Sequence, residues 1–215
     1  MNIIKITAIL ATALATSTTY AQTSNGPFYG GLEFGASQIE DNSGALASSM
    51  RSSLGGTASA SQDTSLSSYR FFGGYKLNEN VNFELGYAQS GDLRSTFSGK
   101  SGGNIAYTGS ANLKYSGFDY SVALRPSTST GYNNAFLKLG VTNYKVDVSA
   151  TATAGISTAS QSRSESGSGL LFGAGYDLNV ANSFDIRFAV NRLTNVAGNS
   201  NNNVTSYSIG LLKSF

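Results

Sequence analysis

Large apolar residues alternate with small or polar residues along most of this chain. The alternation is clearest between Ser68 and Gly91, where it runs on both sides of a short polar segment, Asn78 to Asn80. A period of two is typical of a β-strand with two different faces, because successive side chains point to opposite sides of a sheet. This stretch therefore predicts an antiparallel hairpin, with one apolar face and one face of glycine and charged residues.

The same pattern predicts eight strands in all, at residues 28–37, 69–77, 81–88, 113–125, 135–141, 170–178, 184–190 and 207–215. Leu113 and Tyr115 are out of phase with the rest of their strand, so we expect a bulge at Ser116–Gly117. The connections after the even-numbered strands are short. Those after the odd-numbered strands are long and polar, and we expect mobile loops at residues 38–66, 91–109, 149–167 and 194–203.

An even number of strands of about ten residues each, with long connections at one end only, is typical of a membrane barrel. We therefore predict an all-β fold, an eight-stranded antiparallel up-and-down transmembrane β-barrel. In such a barrel the apolar face contacts lipid. The residues expected on that face and in its aromatic girdles include Phe71, Tyr75, Phe83, Leu85, Phe172, Tyr176, Ile186 and Ile209.

Residues 1–21 have a different composition. Lys5 is followed by an apolar run and then by Thr19, Tyr20 and Ala21, which form a small-x-small cleavage site. This order is typical of a secretory signal peptide, and the run is shorter than the roughly 20 residues of a membrane-spanning helix. We expect a signal peptide over residues 1–21 and a barrel domain over residues 22–215.

Composition excludes several classes of function. The chain has 14 basic and 12 acidic residues, and without the predicted signal peptide it has 13 and 12, a net charge of +1. A charge this balanced predicts no nucleic-acid partner. The chain has no cysteine, so the fold must hold without disulfides. It also has no histidine, and its loop acids are not at calcium-loop spacing, so we expect no metal and no cofactor.

Two segments resemble the OmpA- and OmpX-like small outer-membrane barrels. Residues 72–87 are similar to their second and third strands, and residues 208–215 (SIGLLKSF) are similar to their closing strand. In that family a chain-terminal aromatic residue after alternating apolar residues is the signal to the barrel assembly machinery. The resemblance implies this role for Tyr207, Gly210, Leu211 and Phe215, although Lys213 stands where an aromatic or apolar residue is usual. It stops at Phe215, so we expect no peptidoglycan-binding domain.

Five charged residues fall on the face that would line the barrel interior: Glu33, Arg70, Glu84, Lys138 and Arg187. Buried charges must pair or meet water. The OmpA resemblance implies that Glu84 and Arg187 match an internal salt-bridge gate and that Lys138 matches another interior base. The lysine that exchanges with the arginine of that gate has no match, because its position falls near Val122. A fixed ion-pair network and a gated path for small ions both stay open.

An enzyme is disfavoured. The resemblance to outer-membrane barrels implies that an enzyme of this kind would have an active site built around histidine, and this chain has none. Its serines have no evident base. A dyad of Asp119 and Asp185 stays open, although two ordinary luminal carboxylates are the simpler interpretation.

The leading hypothesis is therefore an integral outer-membrane barrel with a structural and surface-interaction role, in envelope integrity and loop-mediated adhesion. Its expected partners are outer-membrane lipid and lipopolysaccharide, the barrel assembly machinery during biogenesis, and a host or surface ligand at the loops. The alternative is a narrow, weakly conducting channel that the Glu84 and Arg187 salt bridge gates. A third hypothesis, a soluble periplasmic barrel that binds an apolar ligand, requires the aromatic face to point inward.

Overall fold

The computed structural model describes residues 26–126, 134–181, 183–200 and 202–215. The predicted signal peptide and the connection at residues 127–133 lie outside the described residues. The elements are β1 (Phe28–Ile39), α1 (Ser43–Leu54), β2 (Thr57–Gln62), β3 (Ser65–Lys76), β4 (Val81–Ser90), β5 (Leu93–Lys100), β6 (Ala106–Leu124), β7 (Ala135–Ala154), β8 (Ser157–Ala181), β9 (Phe184–Thr194) and β10 (Val204–Ser214). No helix among the described residues is both long and apolar enough to cross a membrane.

The strands close into an antiparallel ring with eight positions. Around the ring the order is β1, β3, β4, β6, β7, β8, β9 and β10, and β10 pairs with β1 to close it. The strands β2 and β5 prolong β3 and β4 after short interruptions, since β5 pairs with the same strand, β6, as β4 does. The predicted eight-stranded antiparallel barrel is therefore confirmed.

The apolar face of the strands lies on the outside of the ring. Of the residues predicted to face lipid, seven are exposed and Ile186 is half-buried on the same face. Apolar side chains left outside on every strand form the belt that a membrane barrel needs. The hypothesis of a soluble barrel with the aromatic face inward is wrong.

Three of the four predicted mobile loops are regular structure. Residues 38–66 contain α1 and β2, residues 91–109 contain β5, and residues 149–167 hold the ends of β7 and β8. The prediction was wrong because it treated a Ser, Thr, Ala and Gly composition as evidence against strands. In β2, β5 and the ends of β7 and β8 a neighbouring strand satisfies the backbone hydrogen bonds, and in α1 the helix satisfies its own; neither requires large apolar side chains.

These segments form a five-stranded sheet that continues the barrel wall on one side. It consists of β2, β5 and residues 106–113, 148–154 and 157–163 of β6, β7 and β8. We call this sheet the extension. On the other side of the ring the wall is shorter, because β1, β9 and β10 end at Ile39, Thr194 and Val204.

The predicted bulge at Ser116–Gly117 is wrong. These residues pair with Lys145 and Tyr144 in unbroken register. Tyr115 instead points inward, where its ring stacks on that of Tyr144 with centroids 5.6 Å apart. The apolar residues therefore change face along the strand, because the upper part of the barrel also has an apolar interior.

A cluster of apolar side chains closes the upper end of the barrel. We call it the mouth cluster; its buried members are Leu66, Ala88, Leu93, Tyr115, Tyr144, Val146, Leu171, Leu193, Val196, Ala197 and Val204. Val196 and Ala197 belong to the β9–β10 connection, which forms a short 3₁₀ turn at Val196–Gly198. This fourth connection therefore packs its own side chains into the opening of the barrel.

Candidate functional site

The five charged residues predicted to line the interior lie together inside the barrel. Arg187 and Lys138 are 0% and 1% exposed, and the other three are also buried. The strands bring three further charges to the same level, Asp119, Asp177 and Arg125. We call these eight residues the charge layer. Asp119 and Asp177 occupy inward positions of the strand alternation, so strand parity was the signal that could have added them.

Two arginines organise the charge layer. Arg70 on β3 donates to both carboxylate oxygens of Asp119, at 2.9 and 2.7 Å. Arg187 on β9 donates to both carboxylate oxygens of Asp177, at 2.8 and 3.0 Å. Such two-pronged contacts hold a guanidinium in a fixed orientation as well as neutralising it.

Glu84 joins the two arginines. Its Oε1 accepts from Arg187 at 2.6 Å and its Oε2 accepts from Arg70 at 3.3 Å. The Tyr29 hydroxyl donates to Oε1 at 3.0 Å, and Lys138 Nζ forms an ion pair with Oε2 at 2.8 Å. One carboxylate on β4 therefore contacts groups from β1, β3, β7 and β9, across the full width of the barrel.

Two phenylalanines pack against the charges. The Arg187 guanidinium lies 4.9 Å from the ring centroid of Phe72 and 4.5 Å from that of Phe136, and Arg70 lies 4.6 Å from Phe72. Cations at these distances are attracted to the ring faces. Glycine makes the room, because a Cβ at Gly86 would come within 2.4 Å of Arg70, and one at Gly175 within 2.4 Å of the Phe136 ring.

The arrangement pairs charges and leaves little space. Four acids, Glu33, Glu84, Asp119 and Asp177, face four bases, Arg70, Arg125, Lys138 and Arg187. Between the charge layer and the mouth cluster lies a cavity of about 30 Å³. A cavity of this size holds about one water molecule. The layer thus combines a balanced ion-pair network with aromatic packing.

The hypothesis of an Asp119 and Asp185 dyad is wrong. Asp119 is held by Arg70 inside the barrel, whereas Asp185 accepts a hydrogen bond of 2.9 Å from the exposed Asn179. Each acid has a partner of its own. Among the described residues no group of three or more acids is placed to hold a metal ion.

The comparison with protein families gives a match over nearly the whole chain. The family model of the outer membrane protein beta-barrel domain covers residues 6–215. This chain belongs to that family. The barrel is therefore located in the outer membrane of a Gram-negative cell. A search of curated proteins found no match.

Several solved outer-membrane barrels are similar to this family member. Ail, the attachment invasion locus protein of Yersinia pestis, in complex with the heparin analogue sucrose octasulfate, is 16% identical with a TM-score of 0.45, over 87% of this chain and 99% of that chain. Neisserial surface protein A is 17% identical with a TM-score of 0.37, over 89% and 98%. The outer membrane protease OmpT from Escherichia coli is 11% identical with a TM-score of 0.36, over 93% and 100%. Scores at this level indicate neither a shared ligand nor a shared activity.

The closing strand of the barrel contains the segment that resembles an assembly signal. Tyr207 and Leu211 point outward and are exposed, Gly210 points inward, and Phe215 is exposed after the end of β10. Lys213 lies with its Nζ 5.6 Å from the Phe184 ring and 5.4 Å from the Phe215 ring. Lys213, the residue that departs from the family pattern, therefore places its ammonium group against two aromatic rings.

Proposed function

We propose that this barrel is a closed scaffold that holds the extension outside the outer membrane for contact with other surfaces, and that it supports envelope integrity. The extension is the observation on which the proposal rests. The strands β6, β7 and β8 continue beyond the level at which β1, β9 and β10 end, and they recruit β2 and β5. A barrel that only filled the membrane would not need this sheet.

The filled interior supports a scaffold rather than an open pore. The mouth cluster, the charge layer and the rings of Phe72 and Phe136 follow one another along the barrel axis. An interior of eight strands is just wide enough for side chains to fill. Packing of this kind stiffens the wall that carries the extension.

We also propose that the chain is not an enzyme. Each of the four luminal acids is paired with an arginine at 3.3 Å or less. A carboxylate held in this way is a poor general base, because the arginine occupies an oxygen that would otherwise accept the substrate's proton. The absence of histidine and cysteine from the sequence supports the same conclusion.

The experiment is to shorten the extension without touching the ring. Residues 149–162 are replaced by Asn-Gly, a two-residue turn that suits antiparallel strands, between the paired residues Val148 and Arg163. Cells that express the shortened barrel should adhere less to cultured epithelial cells, with unchanged resistance to vancomycin as the control for the envelope. Equal adherence of cells with either barrel at equal surface levels would contradict the surface role.

A gated channel is the second candidate, and one contact favours it. Glu84 is shared between Arg187 at 2.6 Å and Lys138 at 2.8 Å. A carboxylate with two cationic partners could release one and keep the other. Lys138 would then take the role of the lysine that exchanges with the arginine in the OmpA gate, for which this chain has no match near Val122.

Planar-bilayer recording separates the two candidates. A scaffold should give no discrete current steps in the wild type or in Glu84→Gln. A gate should give steps whose conductance or open probability rises in Glu84→Gln while the barrel stays folded, as judged by its heat-modifiable migration in gels. Steps of this kind would overturn the closed scaffold.

A further inference from the structure

The outward face of the extension is a regular array of hydroxyl groups. Residues paired directly across antiparallel strands share a face of the sheet, and the pairings trace two complete rows over five strands. We call them the hydroxyl rows. They are Ser61, Thr96, Ser110, Thr151 and Ser160, and Ser59, Ser98, Thr108, Thr153 and Thr158.

The opposite face of the same sheet has a different composition. Its row between the two hydroxyl rows is Ala60, Phe97, Gly109, Ala152 and Ala159. Residues 157–166 of β8 are exposed on both faces. If the hydroxyl groups served only solubility, they would be spread over both faces of this strand. Their concentration on the outward face indicates that this face has a partner.

The spacing of the hydroxyl rows defines the chemistry of that partner. Neighbouring strands lie about 4.8 Å apart and alternate residues about 6.8 Å apart along a strand. Each hydroxyl both donates and accepts, and pairs within a row, such as Thr151 and Ser160 at 3.0 Å, leave further acceptor capacity. A grid of neutral donors and acceptors complements a chain of repeated hydroxyl groups, which is a saccharide. It lacks the Trp, Tyr and Arg anchors that dominate protein–protein contacts.

A charged strip separates the hydroxyl rows from the apolar belt. We call it the charged border; it consists of the outward residues Arg94, Lys114, Lys145 and Asp147. A surface cleft of about 430 Å³ opens here, and its lining includes Lys114, Asp147, Asn112, Ser149 and Ser162. The cleft thus offers both donors and acceptors to sugar hydroxyls, within the size range of small-molecule sites.

Asp147 is the fixed acceptor of the cleft. Lys145 Nζ lies 2.8 Å from its Oδ1, and the Ser164 hydroxyl also donates to it. These hydrogen bonds hold the pKa of the Asp147 carboxyl below its ordinary value, so the group is ionised at neutral pH. An ionised carboxylate accepts from hydroxyl groups without donating.

The order of these surfaces identifies the source of the saccharide. From the membrane outward, the wall presents the apolar belt, which ends at Phe118 and Leu170, then the charged border and then the hydroxyl rows. A glycolipid presents matching layers in the same order: acyl chains, charged inner sugars and a hydroxyl-rich saccharide chain. We propose that the outward face of the extension binds the saccharide chain of lipopolysaccharide in its own outer leaflet. This inference rests on the proposed placement of the extension outside the cell.

The experiment uses the absence of native cysteine. Ser110→Cys places a single thiol in a hydroxyl row, and Ala111→Cys places one on the opposite face of the same strand as a matched control. Each protein is reconstituted into nanodiscs that contain long-chain lipopolysaccharide or, at the same mole fraction, lipid A. At a saccharide level of about ten times Kd, maleimide labelling of Ser110→Cys should slow about tenfold, since only unoccupied protein reacts. Labelling of Ala111→Cys should change little.

A second set of variants separates binding from crowding. Thr96→Val and Thr151→Val flank Ser110 in its row and remove hydroxyls with little change in shape. Together they should restore fast labelling of Ser110→Cys, whereas Thr205→Val on β10 should not. Equal slowing of the two thiols, or slowing that survives both valines, would overturn the inference. If the valine pair does not fold, Ser59→Ala with Ser98→Ala tests the other row.

Two further outcomes are separable from the proposed function. Released saccharide can be added to protein in lipid A nanodiscs. If it slows labelling of Ser110→Cys as strongly as intact lipopolysaccharide does, the claim that the bound saccharide belongs to a membrane lipid is overturned. Loss of adherence on shortening the extension, with no slowing in any nanodisc, would leave the surface role and overturn only the saccharide. Unchanged adherence, together with a tenfold slowing of labelling, would overturn the surface role and support the saccharide inference.

Discussion

At the scale of residues, the charge layer depends most on Glu84. This carboxylate faces Arg70, Lys138 and Arg187 in an interior where it is 4% exposed. Taking one partner from a buried ion network costs more than the network itself contributes, because the remaining charges stay buried without compensation. The substitution Glu84→Gln tests this cost, because it removes the charge and keeps the shape of the side chain.

We expect Glu84→Gln to lower the free energy of unfolding by about 3–5 kcal/mol. Urea titration of the barrel in lipid vesicles measures it. The matched control is Glu165→Gln, since Glu165 pairs with Arg163 at 2.5 Å in an exposed part of β8, where an ion pair contributes about 0–1 kcal/mol. Equal small losses in the two variants would mean that water, rather than the arginines, solvates Glu84.

At the scale of elements, β7 shows how one strand serves three environments. Leu139 points outward into the apolar belt and Thr151 outward into a hydroxyl row, while Tyr144 points inward into the mouth cluster. The backbone pairing is continuous through all three. Side-chain chemistry therefore changes along the strand without a change in its geometry.

This difference predicts unequal tolerance for the same substitution. Leu139→Arg should cost about 2–4 kcal/mol, because the outward face near the bilayer midplane is in hydrocarbon. Thr151→Arg, on the same strand and face, should cost about 0.5 kcal/mol or less. Urea titration in vesicles again measures both. Losses of the same size would contradict the placement of the belt and of the extension.

At the scale of the whole molecule, β10 completes the ring, and Phe215, which follows its last residue, resembles an assembly signal. The Phe215 backbone N–H donates to the Phe28 carbonyl at 3.0 Å, and its ring is 55% exposed. An exposed ring adds little to packing. Its removal should therefore affect recognition during biogenesis more than the stability of the finished barrel.

Deletion of Phe215 should leave the chain exported but reduce the folded barrel in the outer membrane several-fold. Heat-modifiable migration of outer-membrane fractions measures the folded amount. Phe215→Tyr, which keeps a terminal aromatic ring, should restore it. Normal levels of the truncated barrel in the outer membrane would show that the assembly machinery does not recognise Phe215.

The sequence by itself determined the strands of the ring, their two faces and the tight turn at Asn78, whose side chain accepts from Asn80 and Val81 at 2.9 Å. These features are local, because alternation and turn chemistry involve residues close in the chain. The inward position of Glu33, Arg70, Glu84, Lys138 and Arg187 followed from the same parity.

Only the tertiary structure decided what lies above the ring and which groups meet inside it. The segments around β2 and β5 have few large apolar residues, so their pairing depends on a neighbouring strand that supplies the hydrogen bonds. Asp119 on β6 meets Arg70 on β3 through the register of β4, the strand between them, whereas Asp177 and Arg187 are paired directly on the neighbouring strands β8 and β9. Val196 enters the mouth cluster because the ring leaves an apolar opening there. The contacts of Asp119 and Val196 depend on the curvature and closure of the sheet, which local sequence patterns do not specify. The contact of Asp177 with Arg187 depends on the register of one hairpin.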